Sequence, residues 1–107
     1  MSLSILPELL QRIKDELELL LGESLQAIYL YGSRARGDAR PDSDMDLLIV
    51  LRDSFDYADM LDRTIDLIAE LSLEYDVVIS RAFVTKEQFD LEMSPFLMNV
   101  RREAVPA

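Results

Sequence analysis

The chain contains no cysteine, no histidine and no tryptophan. Without cysteine there are no disulfides, thiolate nucleophiles, iron–sulfur clusters or thiolate zinc sites. Without histidine there is no imidazole base, no Ser-His-Asp triad and no histidine-ligated metal. Positive charge is scarce: 11 Lys and Arg stand against 21 Asp and Glu in 107 residues, a net charge of −10. That balance argues against a general nucleic-acid binder, which needs clustered positive charge on the phosphate backbone. No apolar run approaches the roughly 18 residues that suggest a membrane span. The opening MSLSILPELL has neither a basic leader nor a small-residue cleavage site, so a soluble cytoplasmic protein is expected. What remains for chemistry is carboxylates, hydroxyls, basic side chains and backbone amides. Carboxylates with hydroxyls and water suit hard cations such as Mg²⁺.

The length fits one domain over 1–107, and half the residues are hydrophobic, enough for a core. Leu6, Leu9, Leu10, Ile13, Leu17, Leu20 and Leu21 recur at helical spacing, predicting a helix over 5–21 with Ser4 as cap, Pro7 in the first turn and Gly22 as stop. LQAIYLY at 25–31 reads as a strand, and MDLLIVL at 45–51 as a strand buried on both faces. Residues 33–44 read as a loop, with Gly37, Pro41, Asp42 and Ser43 as turn formers and Ser33 able to cap a short helical turn. A second long helix is predicted over 57–74 and a third strand over 76–84. Thr85 to Gln88 spells a capping box, with Val84 and Phe89 in the staple positions, and Ser94-Pro95 opens a last helix through FLMNVRRE. The order α-β-β-α-β-α predicts an α/β or α+β fold with a small mixed sheet flanked by helices.

The stretch 31–47 concentrates the chemistry. Gly32 and Gly37 have P-loop spacing, but Asp38 and Ala39 follow where that loop needs Lys and Ser or Thr, so an ATPase P-loop is excluded. Gly32-Ser33 directly follows the first strand. Gly32 permits close backbone approach to a ligand, and Ser33 offers a hydroxyl beside nearby amides. Asp44 and Asp46 alternate into the second strand, so their carboxylates share a face. Two adjacent carboxylates repel unless a cation lies between them, and Mg²⁺ is commonly held by one or two carboxylates plus substrate phosphates. Arg34, Arg36 and Arg40 against Asp38 form a small basic island beside this pair, suited to a nucleoside triphosphate.

Gly32-Ser33, ten residues, then Asp44-x-Asp46 resembles the G-S-x₁₀-D-x-D signature of the DNA polymerase β-like nucleotidyltransferase superfamily. The string GSRARGDARPDSDMDLLIV, with the final PFLMNVRRE, is similar to the minimal nucleotidyltransferases, one-domain proteins paired with HEPN-domain partners in toxin–antitoxin systems. The resemblance implies the polymerase β-like fold, a triphosphate bound by Gly32 and Ser33, and Mg²⁺, two ions, held by Asp44 and Asp46. It implies a third carboxylate on a later strand, for which Asp76 is the candidate and Glu74 the fallback. It also implies transfer of AMP from ATP to a tyrosine hydroxyl of a HEPN toxin. Arg34 or Arg36 would then stabilise developing charge, and Asp76 would assist the attacking hydroxyl. A contact-only antitoxin and transfer to a small molecule such as an aminoglycoside are the competing readings. Tyr29 and Tyr31 read as sheet packing, Arg101 and Arg102 as helix C-terminal charges, and Asp59, Asp62, Asp66 and Glu70 as a solvated face.

Overall fold

The computed structural model describes residues 5–37, 39–40 and 43–107. Its elements in chain order are α1 (Leu6–Leu21), β1 (Leu25–Tyr31), α2 (Ser33–Arg36), β2 (Met45–Leu51), α3 (Tyr57–Tyr75), β3 (Ile79–Thr85), α4 (Lys86–Leu91), α5 (Pro95–Glu103) and β4 (Val105–Pro106). The strands form one mixed sheet ordered β3-β2-β1-β4. β1 runs antiparallel to both β2 and β4, while β2 and β3 are parallel and are joined through α3.

β2 decides the layering. Its residues Met45, Leu47, Ile49 and Leu51 face α1 and α3, where Leu9, Ile13, Leu17, Ile68 and Leu71 complete the larger core. Leu48 and Val50 face the opposite way, against Val84 of β3 and Leu97 and Val100 of α5. This two-sided burial is why the strand is apolar almost throughout. Asp46 has the parity of Leu48 and Val50, so it lies on the α4–α5 face of the sheet.

The local signals act as their chemistry dictates. Gln88 N–H donates to Thr85 Oγ1 at 3.1 Å and Thr85 N–H to Gln88 Oε1 at 2.9 Å, completing the capping box. Ser94 caps α5 through Leu97 N–H at 3.3 Å. Asp56 caps α3, accepting from Asp59 N–H at 3.2 Å. The expected cap at Ser4 lies outside the described residues, as do Asp38, Pro41 and Asp42.

Two features of the sheet differ from the expected elements. The third strand begins at Ile79, not at residue 76: Asp76 is the C-cap of α3 with φ 52° and ψ 54°, and its N–H donates to the Ser72 carbonyl. Left-handed backbone ends a helix, and Asp tolerates it better than most residues. A short strand, β4, pairs Pro106 with Tyr29 and Val105 with Leu30. Arg101 and Arg102 lie in the last turn of α5 as expected, and Arg101 also reaches α4, donating at 2.6 Å to the carbonyls of Phe89 and Glu92. No helix among the described residues is long and apolar enough to cross a membrane.

Candidate active site

The chain turns sharply where β1 ends. Gly32 has φ 76° and its carbonyl accepts from the N–H groups of Ala35 and Arg36, each at 3.1 Å, which starts α2. A Cβ on Gly32 would collide with Oδ2 of Asp46 and lie 3.3 Å from its Cγ. Glycine is therefore required twice at this position, for backbone conformation and for the space that Asp46 occupies. The Gly-Ser turn and the acidic strand are thus packed directly on each other.

Asp44 is exposed just ahead of β2, and Asp46 is half-buried within it. Burial, and then the charge of Asp44, push the Asp46 carboxyl above the usual range, while Arg36 opposes the shift. Loss of water and a like charge both disfavour the carboxylate, a situation that a bound cation reverses. Tyr31, paired with Asp46 across the antiparallel ladder, is raised by its own burial and then by Asp46. Its ring meets Phe96 of α5 edge-on, with centroids 5.6 Å apart and planes at 84°. Tyr29 stacks on Phe89 at 4.8 Å, so both tyrosines pack as expected, and Tyr31 also borders the acidic pair.

The two arginines of α2 part company. Arg36 is exposed and forms an ion pair with Glu103 Oε2 at 3.0 Å. Arg34 is only 6% exposed; its Nη2 donates to the Ser43 carbonyl, immediately before Asp44. Among the described residues its Nε and Nη1 are buried with no hydrogen-bond partner. Ser43 is further fixed by the turn from Arg40, whose N–H donates to Ser43 Oγ at 2.9 Å. Arg34 therefore braces the segment leading into the acidic pair from beneath.

The structure brings Gly32, Ser33, Arg36, Asp44 and Asp46 to one end of the sheet. Glu74 is elsewhere, paired with Arg12 between α3 and α1, and Arg12 also lies over the Tyr75 ring at 6.0 Å. Asp76 stands at the α3 terminus, ahead of β3. Among the described residues, no group of three or more carboxylates could hold a metal ion. The β3 residue directly beside Asp46 is Ser80, which the motif reading did not single out. Only the strand register reveals it, and alternation alone cannot supply register.

The nucleotidyltransferase domain model matches residues 9–103. A protein of Methanocaldococcus jannaschii, whose name marks it as a candidate protein adenylyltransferase, is 40% identical over 80 residues, covering 74% of each chain. Among solved structures, a chain of a toxin–antitoxin complex with AMP-PNP superposes with a TM-score of 0.65 at 21% identity, covering 91% of this chain and 70% of that one. A chain from the tri-AMPylated Shewanella oneidensis HEPN toxin in complex with an MNT antitoxin gives 0.58 at 20% identity, covering 94% and 69%. These two structural likenesses speak to the fold. With the family model spanning the sheet, the Gly-Ser turn and the acidic pair, the chain belongs to the nucleotidyltransferase domain family.

Proposed function

We propose that this nucleotidyltransferase transfers AMP from ATP to a hydroxyl, that of a tyrosine, on a HEPN-type partner protein, and thereby acts as its antitoxin. The observation that carries the reading is the contact between Gly32 and Asp46, which joins a phosphate-type turn to a carboxylate pair. The name of the M. jannaschii relative and the toxin–antitoxin assemblies among the structural neighbours support the choice of acceptor. ATP as the donor fits a reaction in the cytoplasm.

The donor set fits Mg²⁺: two hard carboxylates, one of them destabilised as an anion by its surroundings, beside serine hydroxyls. Asp44 and Asp46 would hold it. When bound, Mg²⁺ offsets the triphosphate charge and lowers the pKa of the attacking hydroxyl. Ser33 and the first amides of α2, which a helix leaves without intrahelical acceptors, hold the β- and γ-phosphates. We assign Arg36 to the charge developing on the phosphates and Arg34 to bracing the residues before Asp44. The acceptor oxygen attacks the α-phosphorus and the bond to the β-phosphate oxygen breaks. Pyrophosphate leaves with that electron pair, and the hydroxyl proton passes to water.

The test uses purified protein, Mg²⁺, the partner, and ATP labelled on either the α- or the γ-phosphate. The α-label is expected on the partner and the γ-label in released pyrophosphate. Asp44→Asn with Asp46→Asn is expected to lower transfer by at least about 100-fold, since metal charge stabilisation supplies several kcal/mol. Silencing of the partner without label would establish contact-only neutralisation instead.

A further inference from the structure

We infer that Ser80 is the β3 residue that completes the metal site beside Asp46, in the place where a third carboxylate would stand. The metal accordingly arrives with the nucleotide rather than ahead of it. The inference rests on Asp44 and Asp46 being the metal pair.

β2 and β3 pair through a parallel ladder. Its register pairs Met45 with Ile79, Asp46 with Ser80 and Leu48 with Ala82. Paired residues on adjacent strands project from the same face, about 5 Å apart. Parity confirms the face: Ala82 and Val84 of β3 pack with Leu48 and Val50 of β2 on the α4–α5 side. Ser80 shares that side with Asp46, just as Tyr31 does from β1. Asp46 is thus flanked by two hydroxyl-bearing residues and no second acid. Ser80 is half-buried, and its hydroxyl makes no hydrogen bond among the described residues. A half-buried serine hydroxyl with no partner among the described residues, paired in register with a half-buried carboxylate, is available to a ligand.

Asp76 lacks this placement. The backbone beside the start of β2 is that of Val78, whose carbonyl accepts from Met45 N–H at 2.9 Å, and the Val78 side chain is 61% exposed. Asp76 lies two residues further back, four from Ser80, in the left-handed turn that closes α3. Val77, between them, is buried in the core under α1 and α3. Asp76 therefore has a structural task, ending a helix in a conformation that β-branched residues resist.

The consequence is one of charge count. Affinity for a divalent cation rises with the number of anionic ligands. Two carboxylates and a neutral hydroxyl hold a free cation weakly, and the phosphate oxygens of ATP supply the missing negative charge. The experiment titrates Mn²⁺ into the nucleotide-free protein and reads binding by electron paramagnetic resonance. Ser80→Asp is expected to tighten Mn²⁺ by at least about tenfold, and Asp76→Asn to change it by less than about twofold. A tenfold weakening in Asp76→Asn, or no change in Ser80→Asp that retains its circular dichroism, overturns the inference. Ser80→Ala gives a second reading: the Mg²⁺ concentration for half-maximal AMP transfer rises several-fold at unchanged KM for ATP, and an unchanged Mg²⁺ requirement contradicts the proposal. Asp46→Asn is the control for the parent reading; if it leaves Mn²⁺ binding intact, the metal pair itself is misassigned, whatever Ser80 does.

Discussion

Asp46 has a carboxyl that the fold would rather keep protonated. Burial and the charge of Asp44 lift its pKa above that of the unfolded chain. The folded state therefore holds this proton more tightly, and stability falls as pH rises from the unfolded-state value through the folded one. At neutral pH the ionised group is a cost on the metal-free protein, of the kind that functional sites carry. Asp46→Asn is expected to raise the thermal midpoint at neutral pH by a few degrees at most, since water screens a half-exposed group. The gain should shrink in acid, where Asp46 is protonated in both states. A lowered midpoint, or a gain independent of pH, would count against this account of Asp46. At this scale the sequence showed Gly32, Ser33, Asp44 and Asp46, because spacing and alternation are enough to group them. Tyr31 and Ser80 border the same carboxylate but stayed hidden, since neighbours across a sheet are fixed by register. The burial of Arg34 was equally illegible: an arginine among turn formers reads as solvated, and only the Ser43 carbonyl explains where it goes.

The joints between elements carry as much as the elements. β1 bends into α2 at Gly32, and the bend sets the Gly-Ser turn against Asp46. Gly32→Ala forces a side chain into left-handed backbone and against Oδ2 of Asp46. It is expected to cost about 1–3 kcal/mol in urea unfolding and to displace the carboxylate from the turn. An alanine variant as stable and as active as the parent would show that the contact is not needed. Apolar patterning announced α1, β1, β2 and α3, and local hydrogen-bond chemistry announced α4 and α5 through Thr85-Gln88 and Ser94-Pro95. Two features escaped it. β4 has two residues, one of them proline, and exists only through its pairing with Tyr29 and Leu30. The start of β3 moved from residue 76 to Ile79 because the left-handed turn at Asp76 leaves no trace in hydropathy.

Across the molecule, the sheet separates stability from chemistry. The α1–α3 side holds the larger core, with Arg12 tying the two helices together through Glu74 and, at 3.9 Å, Glu70. The α4–α5 side holds the smaller core and, at one end, the acidic pair. Against a net charge of −10, Arg34 and Arg36 lie beside that pair, Arg34 buried under the residues before Asp44 and Arg36 exposed. Zero histidine and zero cysteine are consistent with a carboxylate–metal site, which uses neither. In the proposed function the acceptor hydroxyl comes from another protein. The most direct test of that claim is mass spectrometry of the partner recovered after co-expression with this chain or with its Asp44→Asn, Asp46→Asn variant. The account predicts a partner carrying AMP on a tyrosine with the parent chain and an unmodified one with the variant. An unmodified partner with both, or a modified one with both, would contradict it.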